Sequence, residues 1–117
     1  MSEFKELQSE FDAEDGSFLI GLRGELNWDK DAFRNLTRLM YQAASEMQGQ
    51  SDIPVEIAQG FWFCDTWIRH WTSHENFPRP EVQYYEDSLE LIHDLAYFLF
   101  TGESPYEDNT LEEKSNA

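Results

Sequence analysis

Only one cysteine, Cys64, occurs in the 117 residues. An intramolecular disulfide is therefore excluded, and a reducing compartment is the simpler setting. Cations are also scarce: eight Lys and Arg stand against twenty-four Asp and Glu, for a formal net charge of −16. Binding of a phosphate backbone needs clustered Lys and Arg, and no such cluster exists here. A field of this sign repels nucleic acid and anionic membranes and attracts basic surfaces. No uncharged apolar run reaches the ~18–20 residues of a membrane span, and Met1-Ser2-Glu3-Phe4-Lys5 lacks the charged-then-apolar layout of a secretion signal. The expected location is the cytoplasm, with neither nucleic acid nor membrane as partner. The chain also has no glycine-rich phosphate loop, no Cys-x-x-Cys pair and no Gly-x-Ser-x-Gly elbow.

What is present is ample material for a core. Apolar residues make up 40% and aromatics 15%, including four Trp and nine Phe, which argues against a disordered chain despite the charge. The length fits one domain, predicted over 1–106, with 107–117 read as a disordered acidic tail. Residues 1–16 hold six acids and one lysine, and residues 103–117 hold five acids and one lysine. The body between them holds thirteen acids and six cations, so it is acidic without its ends.

Periodicity predicts an all-α fold: a three- to four-helix up-and-down antiparallel bundle with an irregular N-terminal segment. Phe4, Leu7 and Phe11 suit a short helix that stops at the Asp15-Gly16 turn. Residues 17–26 are ambiguous, because Gly21 and Gly24 interrupt the strand-like Phe18-Leu19-Ile20 and no second strand is available to pair with it. A packed irregular segment or a short helix is expected there. The first long helix is predicted over 30–48, with Asp29 as N-cap, a Trp28–Phe33 staple, a core stripe of Phe33, Leu36, Met40, Ala43, Ala44 and Met47, and Gly49 as its stop. The second is predicted over 54–74, opening at Pro54. Ile57, Phe61, Cys64, Ile68 and Trp71 form one stripe, and Phe63 and Trp67 widen it, which suggests the central helix. The third runs from near Pro80 to Gly102, with Val82, Tyr85, Leu89, Ile92, Ala96 and Leu99 at helical steps and Leu91, Leu95 and Phe98 beside them.

Candidate chemistry is sparse. His70 and His74 lie four apart, as metal ligands on one helix face do, and His93 with Glu90 and Asp94 could complete a set. The alternative is cations placed at a helix C-terminus, favoured by the dipole. Six residues separate Cys64 from His70, about 600° of helical rotation, so they do not form a nucleophile pair. Cys64 instead sits in the core stripe as a small hydrophobe. No catalytic residue, metal site or cofactor is assigned.

The informative feature is acidic. Glu86, Glu90 and Asp94 follow at four-residue steps with Asp87 adjacent, and no cation occurs between Arg79 and Lys114. Like charges at that spacing cost a helix a few tenths of a kcal/mol per pair, roughly 0.2–0.5. One reading is a solvated face partly neutralised by Arg34, Arg38 or Arg69; the other is a surface for a basic partner. Trp62, between the two apolar flanks of its helix, is a candidate exposed anchor. The linker Trp71-Thr72-Ser73-His74-Glu75-Asn76-Phe77-Pro78-Arg79-Pro80 reads as a rigid interhelical turn with Phe77 plugging the bundle end, or else as a contact loop.

The segments Phe61-Trp62-Phe63, Trp71-Thr72-Ser73-His74, Phe77-Pro78-Arg79-Pro80, Tyr84-Tyr85-Glu86-Asp87, Leu95 and Phe100-Thr101-Gly102-Glu103-Ser104-Pro105-Tyr106 resemble those of small acidic bacterial proteins. In character the chain is similar to the immunity proteins of bacterial toxin systems. The resemblance spans about residues 55–106 and carries no motif from which binding residues transfer. It implies a compact helical inhibitor. The expected function is non-enzymatic binding of a basic protein, such as a nuclease-like toxin, by a monomer or weak homodimer through Glu86, Asp87, Glu90, Asp94 and Trp62. A metal-dependent bundle enzyme and an oligomeric scaffold are the alternatives.

Overall fold

A computed structural model describes residues 4–25, 27–73 and 81–116. Among the described residues there are six helices and no strand: α1 (Lys5–Phe11), α2 (Phe18–Glu25), α3 (Lys30–Glu46), α4 over 55–72, α5 (Val82–Thr101) and α6 (Thr110–Ser115). The all-α class holds, but the three- to four-helix up-and-down bundle does not. Three short helices, α1, α2 and α6, pack on the long ones, and the long ones do not form a simple ring. The predicted linker residues 74–80, with the Phe77 plug, lie outside the described residues.

Local chemistry explains the long helices. Asp29 caps α3 by accepting from the N–H groups of Asp31 and Ala32 at 3.0 and 3.1 Å. Trp28 and Phe33 staple its entrance with ring centroids 5.0 Å apart, and the whole predicted stripe of α3 is buried. Left-handed Gly102 closes α5 at φ 76°. The helix α4 opens after Pro54, which stands at its cap rather than inside it. Val55–Phe63 passes into a π turn at Cys64–Ile68 before Arg69–Thr72 resumes α geometry. That widened turn has a geometric use. Ile57 and Thr72 both face the core, yet the intervening residues at ~100° each overshoot whole turns by about 60°. A π turn advances fewer degrees per residue and returns Thr72 to the core.

The central helix is α5, not the second long helix as its broad apolar surface suggests. It is flanked by α3 and α4 and also touches α6. Lys30 reaches Glu81 at 2.7 Å, while Tyr41 further along α3 stacks on Phe98 with centroids 5.7 Å apart, so α3 and α5 run parallel. Arg69 and Thr72 line the same cleft as Tyr85, Glu86 and Leu89, so α4 runs antiparallel to α5. The second apolar flank of α4 does not make it central: Phe63 and Trp67 stack with Trp71 in a ladder with steps of 5.3 Å whose last rings rest against the core. Val82, placed in the α5 stripe by periodicity, is exposed.

The N-terminal segment is not irregular; residues 18–25 form α2. Its glycines cost about 1 kcal/mol each, and burial of Phe18, Leu19 and Leu22, at roughly 1.5–3 kcal/mol apiece, exceeds that. The carboxylate of Glu10 accepts from the Phe18 N–H at 3.2 Å, the Ser17 hydroxyl accepts from the Ile20 N–H, and the indole of Trp71 donates to the Leu22 carbonyl at 3.0 Å. Burial pushes the Glu10 carboxyl above its ordinary range, against the two donors, Phe18 and Asn35, that hold it down. Arg38 donates to the Asn35 side-chain Oδ1 at 2.7 Å, and the same amide donates to Glu10 at 3.3 Å. The helix α1 lies tight on α4: a Cβ built at Gly60 would sit 2.0 Å from the Phe11 ring.

The segment expected as a disordered tail carries α6. Leu111 and Ser115 are buried, and the Thr37 hydroxyl donates to the Ser115 carbonyl at 2.9 Å. One leucine and one hydroxyl contact across the fold decide this segment, and neither stands out in a stretch that is otherwise polar. No helix among the described residues is long and apolar enough to cross a membrane.

Candidate functional site

The acidic stripe does not lie on one uniform face. Four-residue steps advance about 40° beyond a full turn, so the stripe winds around α5. Two contacts fix the winding: His93 faces Asp65 of α4 at 3.2 Å, and Asp94 faces Tyr106 next to α6 at 3.1 Å. Glu86 therefore lies toward α4, Glu90 points away from the core, and Asp94 turns toward α6.

The carboxylates differ accordingly. Glu86 and Glu90 are exposed and make no hydrogen bond or ion pair among the described residues. Asp87 is exposed but accepts from the Gln83 amide at 2.9 Å. Asp94 is half-buried and accepts from the Tyr106 hydroxyl, which in turn accepts from the Lys114 ammonium at 3.0 Å. Burial pushes the Asp94 carboxyl up and the hydroxyl opposes this; Glu90 adds a smaller upward push, against His93 and Lys114. Of the three arginines proposed to neutralise the stripe, Arg34 pairs with Asp31 and Arg69 lies 3.9 Å from Asp65. Arg38 donates to Asn35. Lys114 reaches the stripe at its Asp94 end through Tyr106.

Beside the unpaired end lies a pair that the sequence reading did not connect. Asp65 is carried by the π turn of α4 and holds His93 Nδ1 through one oxygen. Its other oxygen is buried and has no hydrogen-bond partner among the described residues. Spacing groups His93 with Glu90 and Asp94, its neighbours in sequence. The overlooked signal is that Asp65 is the one charged residue between Glu56 and Arg69 in a strongly apolar helix. Trp62, 63% exposed, precedes Asp65 by three residues and shares its side of α4. Tyr97 follows His93 by four on α5 and is also exposed. The outer α4–α5 surface thus combines Glu86, Glu90, the Asp65–His93 pair and exposed aromatics.

Nothing among the described residues hydrogen-bonds His93 Nε2, and Cys64 is fully buried, with its thiol held protonated because burial disfavours the thiolate. No group of three His, Cys, Asp or Glu able to hold a metal ion occurs among the described residues. His70 is exposed, and His74 lies outside the described residues. No protein-family model, curated protein or solved structure matches the chain.

Proposed function

We propose that the chain is an acidic binding protein whose outer α4–α5 face docks a basic protein, in the manner of an immunity or inhibitor protein for a cationic toxin such as a nuclease. The observation that carries this is the combination of two exposed carboxylates, Glu86 and Glu90, that make no hydrogen bond or ion pair among the described residues, with a 63%-exposed indole at Trp62. Exposed charges of one sign steer association, and a tryptophan desolvated on docking supplies affinity in the way interface anchors do. The Asp65–His93 pair lies between these features and adds hydrogen-bonding capacity at the centre of the face.

The test is co-expression with the product of the reading frame beside its gene, followed by association kinetics at low and physiological salt. For a cationic partner, E86Q/E90Q slows association by about tenfold at low salt, and the deficit shrinks as salt rises. W62A accelerates dissociation and leaves the association rate close to that of the unmodified chain. A complex that forms equally fast with both glutamates neutralised, at any salt, removes this face from the reading.

A further inference from the structure

The exposed side chains on the outer side of α5 form a seam. Glu86, Glu90, His93, Tyr97 and Phe100 are all exposed, and they follow one another at steps of four, three, four and three. At ~100° per residue they fall within about 80° of one another, in a strip about 21 Å, or roughly four turns, long. Steps of three and four are those at which one helix meets another along its length. The helix α4 borders this strip. Asp65 meets His93 and the two helices run antiparallel, so Trp62, three residues before Asp65, falls on the Tyr97 side and away from Glu86.

The seam has two chemical halves. At Glu86 and Glu90 it is anionic, and neither carboxylate is hydrogen-bonded or ion-paired among the described residues. Arg69 lies in the same cleft as Glu86, but its guanidinium turns to Asp65 at 3.9 Å. At Tyr97 and Phe100, with Trp62 alongside, the seam is aromatic and exposed. A segment that covers all of it must bring cations to one end and apolar side chains to the other. That segment gets no backbone partners here, because the described residues contain no strand and main-chain groups within α4 and α5 are bonded inside their own helices. An extended segment would lose water from its N–H and C=O groups without replacement, whereas a helix satisfies its own. A second copy of the chain fits poorly. Two seams packed together would set Glu86 and Glu90 against their counterparts or against rings, both costly for carboxylates taken out of water, between chains of net charge −16.

Taking the docking face above as the premise, we propose that its partner presents a helix of about four turns to this seam. Basic side chains of that helix lie over Glu86 and Glu90, and apolar ones lie over Trp62, Tyr97 and Phe100. The two unlike halves fix the direction in which the helix lies, since complementary charge sets register.

The probe is a capped helical peptide of alanine and glutamine, about four to five turns long. It carries Lys at its first two seam positions and Leu at the other three, and is titrated into the full chain with amide shifts as the readout. An isomer with the seam order Leu, Lys, Leu, Lys, Leu keeps composition and charge. The graded peptide should bind about tenfold more tightly than the isomer, and a nitroxide at its lysine end should broaden Glu86 and Glu90 but not Phe100. E86Q/E90Q and F100Q should each bring its affinity close to that of the isomer. Equal binding of the two peptides, no saturable shift, or broadening at Phe100 would overturn the inference. Equal binding of a graded peptide with a central proline would assign the seam to an extended segment instead, and concentration-dependent shifts along the seam without peptide would assign it to a second copy. If the helix fails while E86Q/E90Q still slows association of the co-expressed partner, the docking face stands without it; if that association is unaffected, both fall.

Discussion

The two flanks of α5 carry similar residue types and treat them in opposite ways. Toward α3 and α6, charges are compensated: Asp94 is bonded by Tyr106, Tyr106 by Lys114, and Lys30 by Glu81. Lys30 also lies 4.4 Å from the centre of the Tyr84 ring, and Tyr84 accepts from the Trp28 indole at 3.0 Å. Toward α4, Glu86 and Glu90 are left unpaired among the described residues, and aromatic surface is exposed at Trp62 and Tyr97. The first flank is organised by the chain's own neighbours; the second offers charge and rings outward. A stripe of carboxylates is therefore not one object: its meaning changes along its length with what packs beside it.

The largest expected disturbance removes the compensating neighbour. Leu111→Ala empties a fully enclosed position and should weaken the docking of α6 by about 2–5 kcal/mol. Loss of amide protection over residues 110–116, with the other helices intact, would turn the compensated flank into a copy of the open one. Protection that survives the substitution would show that Leu111 does not hold α6.

A smaller effect tests the link itself. Tyr106→Phe removes the hydroxyl between Asp94 and Lys114 and should cost about 1 kcal/mol at neutral pH. Asp94 titrates above its ordinary value of 3.8 because it is partly buried, and the hydroxyl counteracts this. Its loss raises the value further. A carboxyl raised by folding contributes stability that is complete below its unfolded value and is lost as pH rises through its folded value. The variant and the parent should therefore be nearly equal in stability in acid and diverge as pH rises past the folded value of Asp94. Melting temperatures across that window, with a carbon-detected titration of Asp94, check both statements.

The smallest effect concerns the open flank. Glu90→Lys places a cation four residues from both Glu86 and Asp94 and should stabilise α5 by a few tenths of a kcal/mol, about 0.2–0.5 per pair. The same change should weaken docking of a basic partner. A melting temperature that rises while association slows would show that the flank gives up stability for recognition; one that falls would mean Glu90 is held by a contact other than solvent.

Much of the fold was legible wherever local chemistry decides it. Asp29, the Trp28–Phe33 staple and Gly102 bound helices as their types predict, and the α3 stripe is buried throughout, although α3 ends at Glu46 with Met47 as its cap, before Gly49. What was illegible depends on distant partners. The helix α2 contains two glycines and is held by Glu10 and Trp71. The position of α6 depends on Thr37. The centrality of α5 could not be read from apolar breadth, because α4 stacks its extra rings on one another in a ladder whose last rings rest against the core. In the candidate site, Glu86, Glu90 and Trp62 could be named from spacing, and Asp65 stands out as a lone charge in an apolar helix, but its pairing could not be read, since His93 lies 28 residues away on another helix.

The close fit of Phe11 over Gly60 also bears on timing during synthesis. The ring has nowhere to go until the residue 49 positions later has been made and wound into α4. At ~5–20 residues per second, a ribosome needs on the order of 2–10 s to cover that stretch. Throughout that interval the nascent chain carries the Phe11 ring without its seat on α4, next to Glu10 and Asp12. The acidic residues beside that ring would also keep it apart from other chains until its notch exists.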